Sequence, residues 1–227
     1  MLIGAVADIH GNFDALARAM QRHPDVQYWI CVGDLASRTG AYPEPPAPLF
    51  WIKGNNEDFD RIAAWEQGAA QPHHLHYIRN GTASTVGPLR VAGLGGTFAP
   101  TWFDTPVTEL PHTPRDDKRR HFVRDEAEAC KRLSDVDILM THEAARPFIL
   151  VDDAASSARP RRRDAGKPAI NDVIATLQPR LHLCGHHHRF VETTREGVKS
   201  VCIDRINRAY LLIDASTLAY HAVENTA

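Results

Sequence analysis

The sequence predicts an α/β fold built on a largely parallel sheet, and three of its features point there. Short apolar runs rich in Val, Ile, Leu and Cys alternate with segments whose apolar residues keep helical spacing. Five of these runs stop at a cluster of Asp, Asn, Glu or His rather than at an ordinary turn. The composition, 43% hydrophobic and 24% charged over 227 residues, suits a chain that buries a sizeable core.

The first run, Leu2 to Ala7, is apolar throughout and reads as a buried strand. Asn12 can cap the next helix, in which Phe13, Leu16, Ala17 and Met20 share a face and beyond which Pro24 follows. Val26 to Val32 is a second strand ending at Gly33-Asp34. A proline-rich loop over Tyr42 to Pro48 leads to a third, Leu49 to Ile52, ending at Gly54-Asn55-Asn56. A helix is expected over Asp58 to Gln67. This repeated strand, polar loop and helix is the rhythm of a parallel α/β layer.

The middle of the chain changes character. Leu75–Ile78, Thr82–Val86 and Leu89–Leu94 read as short strands separated by turns at Asn80-Gly81 and Gly87-Pro88. Thr101 to Arg120, polar and punctuated by proline, reads as a loop. A helix is predicted around Phe122 to Leu133, then a strand from Val136 to Met140 ending at Thr141-His142-Glu143. Asp152 to Lys167 reads as a polar loop, Pro168 to Leu177 as a helix, and Leu181 to Cys184 as a strand ending at Gly185-His186-His187-His188. The runs Phe190–Thr194, Val198–Ile203, Ala209–Ile213 and Leu218–Ala222 alternate as an antiparallel meander would, with Asp204 to Arg208 as one hairpin turn. No composition break divides the chain, so residues 1–227 read as a single domain.

Twenty-six Lys and Arg against 28 Asp and Glu leave a net charge of -2, which argues against coating nucleic acid by bulk charge. Cys31, Cys130, Cys184 and Cys202 form no CxxC pair, which excludes a zinc ribbon and a thioredoxin-type motif; the three in strand-like runs read as small buried hydrophobes. The amino-terminal run lacks a basic leader and breaks at Asp8, and no stretch approaches the roughly 18 apolar residues of a membrane span. A cytoplasmic protein without a membrane partner is expected.

Histidine is in excess, at 13 residues, and its placement carries more than its number. Strand ends supply Asp8-Ile9-His10, Gly33-Asp34, Gly54-Asn55-Asn56-Glu57, Thr141-His142-Glu143 and Gly185-His186-His187-His188. In a parallel sheet the carboxyl ends of the strands form one rim, where ligands bind. Mixed nitrogen and oxygen donors in that number suit two ions of Mn, Fe, Zn or Co better than Ca or Mg.

These five clusters, in this order from residue 8 to residue 188, resemble the motif set of the calcineurin-like metallophosphoesterase superfamily. The resemblance implies a four-layer α-β-β-α sandwich, two mixed sheets flanked by helices, with a dinuclear metal site at the carboxyl-terminal rim of the strands. It implies two divalent transition-metal ions, manganese foremost and iron or zinc as the other candidates. Asp8, His10 and His188 would hold one ion, Asn55, His142 and His186 the other, and Asp34 would bridge them. His187 falls between the two ligand positions of the GHxH motif and would not be a ligand. The implied reaction is hydrolysis of a phosphoester by a hydroxide that bridges the ions. Glu143, Glu57 and Asp58 are the candidates to orient the ligand histidines.

One departure stands out. Many members carry histidine where this chain has Asn56, and an amide cannot act as a general acid near pH 7. Asn56 and His187 are therefore the catalytic candidates, the first as a hydrogen-bond donor to phosphate and the second as a substitute acid. His76-Tyr77-Ile78, Leu89 to Phe98, His121-Phe122 and Asp137 to Glu143 are similar to the branch of RNA lariat-debranching enzymes and their bacterial relatives. Those enzymes usually carry Cys at the position of Asp8.

A phosphodiesterase is expected, its partner a phosphoester substrate with nucleotides and nucleic acid as candidates. The alternatives are a phosphomonoesterase and a non-catalytic metal-binding or scaffold member. Arg162 and Arg163, within the basic run from Arg159 to Lys167, are the candidate substrate-binding residues, and Arg115, Lys118, Arg119 and Arg120 raise the same question with Asp116 and Asp117 among them. Trp102 and Phe103 could stack on a base or anchor their loop. His73, His74 and His76 read as surface or strand residues.

Overall fold

Each apolar run of the first fifty residues pairs in parallel with the next, the first two joined by a helix and the second and third by the proline-rich loop. A computed structural model describes residues 1–113, 115–151 and 162–226. Strands β1 (Leu2–Val6), β2 (Tyr28–Cys31), β3 (Leu49–Trp51) and β4 (Leu75–Tyr77) run parallel in one six-stranded sheet. The second six-stranded sheet starts with the hairpin β5 (Thr82–Val86) and β6 (Leu89–Leu94) and continues in parallel through β7 (Ile138–Thr141), β8 (Leu181–Cys184) and β10 (Val198–Cys202), with β9 (Val191–Arg195) antiparallel at its edge. Strands β11 (Ala209–Asp214) and β12 (Tyr220–Glu224) complete the first sheet, antiparallel beside β1.

The predicted helices form. Asn12 Oδ1 accepts the Ala15 N–H and caps α1 (Phe13–Arg22), and Asp58 caps α2 (Phe59–Glu66) in the same way. Helix α3 spans Arg124–Lys131, and α4 spans Pro168–Leu177 with proline at its first position, where a missing N–H costs nothing.

Alternation along the strands sorts the side chains into layers. Ile3, Ala5, Ile30 and Ile52 of the first sheet meet Val91, Ile138, Met140 and Leu183 of the second in the central core. The outer faces carry Trp29 and Trp51 against Leu16 and Trp65 of α1 and α2, and Leu139 against Cys130, Ile170 and Val173 of α3 and α4. This is the expected order of helices, sheet, sheet and helices. All four cysteines are buried free thiols.

Four local expectations need correction. The last four strands are not one meander, since β9 and β10 pair in the second sheet and β11 and β12 in the first. Accordingly Asp204 to Arg208 is no hairpin turn but the crossover, and Ile206 donates its N–H to Ala7 O on the way. Asn80-Gly81 likewise carries the chain between sheets, because the Asn80 side chain pairs with both the N–H and the carbonyl of Gly95. Finally, the two polar loops hold small ribbons: His112–Thr113 pairs with Asp116–Asp117, and Ile149–Val151 with Arg162–Asp164. Among the described residues no helix is long and apolar enough to cross a membrane.

Candidate metal centre

The carboxyl ends of β1, β2 and β3 in one sheet meet those of β7 and β8 in the other. His142, at the end of β7, shows the junction directly, for its Nδ1 lies 2.9 Å from the carbonyl of Val32 at the end of β2. That bond turns Nε2 inward. The approach leaves no room for a side chain at Gly33, where a Cβ would lie 2.6 Å from His142 Nδ1.

The backbone is bent to serve the rim. Asp8, His10, Asp34, His186 and His188 all adopt left-handed φ, from 47° to 68°. Each such residue costs about 1–3 kcal/mol and persists where the surroundings hold it. Strain of this kind on five neighbouring polar residues marks a site rather than a turn.

Two groups of donors result. Asp8, His10 and His188 form the first and Asp34, His142 and His186 the second, the donor atoms of each lying within 4.8 Å of one another. In the first, His10 Nε2 is 3.2 Å from His188 Nε2, and Asp8 Oδ1 is 3.9 and 3.6 Å from those nitrogens. In the second, Asn55 Oδ1 lies 3.0 Å from His142 Nε2. Asp34 stands between the groups, with Oδ2 3.6 Å from His10 Nε2 and Oδ1 3.5 Å from His142 Nε2.

These donors fit divalent ions. Asp8 Oδ1 is buried and has no hydrogen-bond partner, an arrangement that burial penalises unless a cation satisfies it. Imidazole nitrogens mixed with carboxylate and amide oxygens suit Mn, Fe or Zn. The local electrostatics agree. Burial alone raises the Asp34 carboxyl, but the His142 charge, with hydrogen bonds from His142 and Asn56, outweighs it and holds Asp34 well below the usual carboxylate range. Burial likewise opposes the charge on His142, yet Asp34 lifts its imidazole to about 10.

The neighbouring residues have separate tasks. Asn56 donates its N–H and its side-chain Nδ2 to the two oxygens of Asp34, at 2.8 and 2.7 Å. Glu57 accepts the N–H groups of Leu35, Ala36 and Gly54, so it ties together the loops after β2 and β3 rather than any of the candidate ligand imidazoles. Asp58 serves as the α2 cap. Of the three candidates for orienting a histidine, only Glu143 approaches one, with Oε1 3.8 Å from His186 Nε2. His187 stacks on Phe148, with ring centroids 4.4 Å apart, and burial lowers its imidazole to about 3. A group that stays neutral to such acidity is a poor proton donor at pH 7.

Beside the first group opens a cavity of about 670 Å³, lined by His10, Asn55, Asn56, Arg38, Arg115 and Arg120 among others. Arg119 at its edge is spent on Asp117 and Asp60. Sequence reasoning misses Arg38, because nothing but its place four residues after Asp34 sets it apart. Arg163 is exposed on the Ile149–Val151 ribbon, away from the lining of this cavity; the Arg162 side chain, like Arg159 and Arg161, lies outside what is described. Phe103 packs on Phe98 and Phe122 and anchors its loop, and Lys118 covers the Trp102 ring. His76 stacks on Phe50.

Comparison with known proteins agrees with this geometry. Residues 1–190 match the family model described as calcineurin-like phosphoesterase. The lariat debranching enzyme of Schizosaccharomyces pombe is 24% identical over 196 residues, which cover 79% of this chain but only 42% of that enzyme. Among solved structures, TT1561 of Thermus thermophilus superposes with a TM-score of 0.65 at 16% identity, over 99% of this chain and 98% of that one. GAP50, the anchor in the inner membrane complex of Plasmodium, gives 0.55 at 10% identity, over 99% and 84%. At such identities the structures testify to the fold alone.

Proposed function

The chain belongs to the calcineurin-like phosphoesterase family, a metal-dependent one, and from that premise we propose that it hydrolyses phosphodiesters with two divalent transition-metal ions, manganese foremost. Asp34 carries the reading: a single carboxylate presents one oxygen to each donor group, at 3.6 and 3.5 Å from the nearest imidazole nitrogens. Asp8, His10 and His188 would hold one ion, and Asn55, His142 and His186 the other. When bound, the ions would supply Lewis acidity that polarises a phosphoryl oxygen and renders water nucleophilic near neutral pH.

The chain's own residues do the rest. Asn56 fixes the orientation of Asp34 through two hydrogen bonds, and its amide cannot protonate a leaving group. With His187 neutral as well, substrates with good leaving groups should turn over best. The cavity has room for a second ester arm, which favours a diester over a monoester. Arg38, Arg115 and Arg120 along it, and Arg162 and Arg163 further out, are the groups proposed to hold flanking negative charge. The S. pombe relative, of which this chain spans less than half, makes nucleic acid the first polymer to try.

The test joins elemental analysis to a substrate panel of bis-p-nitrophenyl phosphate, p-nitrophenyl phosphate, cyclic nucleotides, single-stranded DNA and 2'-5' branched RNA. Two ions per chain with turnover of a diester is the expected result. Asp34→Ala should lose both ions and more than a hundredfold in rate. A protein that binds no ion and cleaves nothing would refute the proposal. Asn56 motivates a second reading, a metal-binding module without turnover, which the same panel would reveal as two ions and no hydrolysis.

A further inference from the structure

We propose that Lys167 and Glu143 form a charged relay that holds His186, so that the metal position at His142 and His186 depends on Lys167 and the position at Asp8, His10 and His188 does not. The proposal rests on the two-ion reading above. Glu143 is buried, and its carboxylate is fully engaged. Oε2 takes the N–H of Phe98 at 2.5 Å, which leaves Oε1 between Lys167 Nζ at 3.2 Å and His186 Nε2 at 3.8 Å. Lys167 and His186 thus face the same carboxylate oxygen.

The lysine arrives from a fixed frame. Its N–H bonds the carbonyl of Ala144, its carbonyl takes the N–H of Ile170 in the first turn of α4, and it bridges to Ala145. The Glu143 backbone is fixed as well, since Thr141 Oγ1 donates to its carbonyl at 2.5 Å. The relay acts on His186 alone, because the His142 ring is placed by the Val32 carbonyl and Asn55. The contacts of the other group run to Asp8, Asp34 and each other. At 3.8 Å the Glu143 carboxylate stands next to the His186 ring nitrogen without hydrogen-bonding it in the metal-free fold. A carboxylate so placed orients a ligand histidine once metal is bound, and removing such a partner typically weakens metal affinity about 10–100-fold. Simple neutralisation of a buried acid by Lys167 would leave both metal steps equally strong.

The experiment titrates metal-stripped full-length protein with MnCl2 and ZnCl2 by calorimetry, with dialysis and elemental analysis as the count. The wild type should take up two ions. Lys167→Met and Glu143→Gln should each weaken one binding step at least tenfold and leave the other within twofold. Lys167→Arg should restore it, and the double variant should be no worse than either single one. Equal weakening of both steps, or an unchanged titration in a folded Lys167→Met protein, would overturn the relay. A wild type that binds no ion would overturn the two-ion reading itself, and the relay with it.

Discussion

A methyl group added at Gly54 would lie 2.0 Å from Asp34 Oδ1 and 2.3 Å from Asp34 N, closer than any real contact. Gly54→Ala should therefore push Asp34 out of its place between the two donor groups. The expected outcome is loss of at least one ion by elemental analysis, with far-ultraviolet circular dichroism unchanged because the core lies on the other side of the rim. Two retained ions would show that Asp34 tolerates displacement. At this scale the sequence is legible where chemistry and position coincide. Asp8, His10, Asp34, Asn55, His142, His186 and His188 each follow a strand, and each reaches the rim. It is not legible where direction decides. That Asn56 points its amide at Asp34, and that His187 turns onto Phe148, depends on rotamers set by tertiary packing. Arg162 and Arg163 stand out by charge density, yet the cavity is lined by Arg38, Arg115 and Arg120, which distant loops bring together.

Strand β8 supplies two candidate ligands, His186 and His188, at its end and a buried histidine in its body. His182 is fully buried between β7 and β10, with Nε2 2.8 Å from Thr141 Oγ1 and Nδ1 2.6 Å from Ser200 Oγ. Thr141 spends its proton on the Glu143 carbonyl, so His182 must donate from Nε2 and accept at Nδ1. Burial lowers this imidazole to about 3, which keeps it neutral. The chain of bonds ties three neighbouring strands just beneath the rim. His182→Ala leaves a cavity and strands the buried Ser200 hydroxyl, while Thr141 keeps its bond to the Glu143 carbonyl. The substitution should cost about 2–4 kcal/mol in urea unfolding at unchanged m-value. A cost below about 1 kcal/mol would mean that the network is dispensable. Elements themselves are legible from apolar periodicity, down to the bounds of α4 and β8. Which sheet a strand joins is not. Alternation reports that one face is buried but not against what, so β9 to β12 read as a single meander until Ile206 is seen bonding to β1's end.

For the molecule as a whole, the proposed ligand set has a consequence for stability against pH. His142 in the metal-free fold holds its proton up to about 10, against an ordinary value of 6.5, because Asp34 faces it. Between those values the folded chain binds a proton that the unfolded chain has released, so this contribution is full below about pH 6.5 and fades as pH rises toward 10. The other buried groups titrate lower: Glu57 near 7, His186 near 4, His182 and His187 near 3. Burial raises the thiols of Cys31 and Cys130 above the ordinary 9.0, and the neighbouring Cys202 together with burial does the same for Cys184, so they add a slope of the same sign only as pH approaches 9, where the unfolded thiols ionise. From about pH 7.5 to 8.5 the slope therefore belongs chiefly to His142. The metal-stripped protein should melt at progressively lower temperature across that window, and His142→Asn should flatten the slope. Metal must displace the same proton, so its affinity should rise with pH over the interval in which the bare fold weakens, and uptake at about pH 8 should release a proton measurable in buffers of different ionisation enthalpy. The two trends are opposite in sign and share one imidazole. A metal-stripped protein whose melting temperature is flat or rising across that window would show that Asp34 does not hold His142 charged, and that the ion enters a site already neutral.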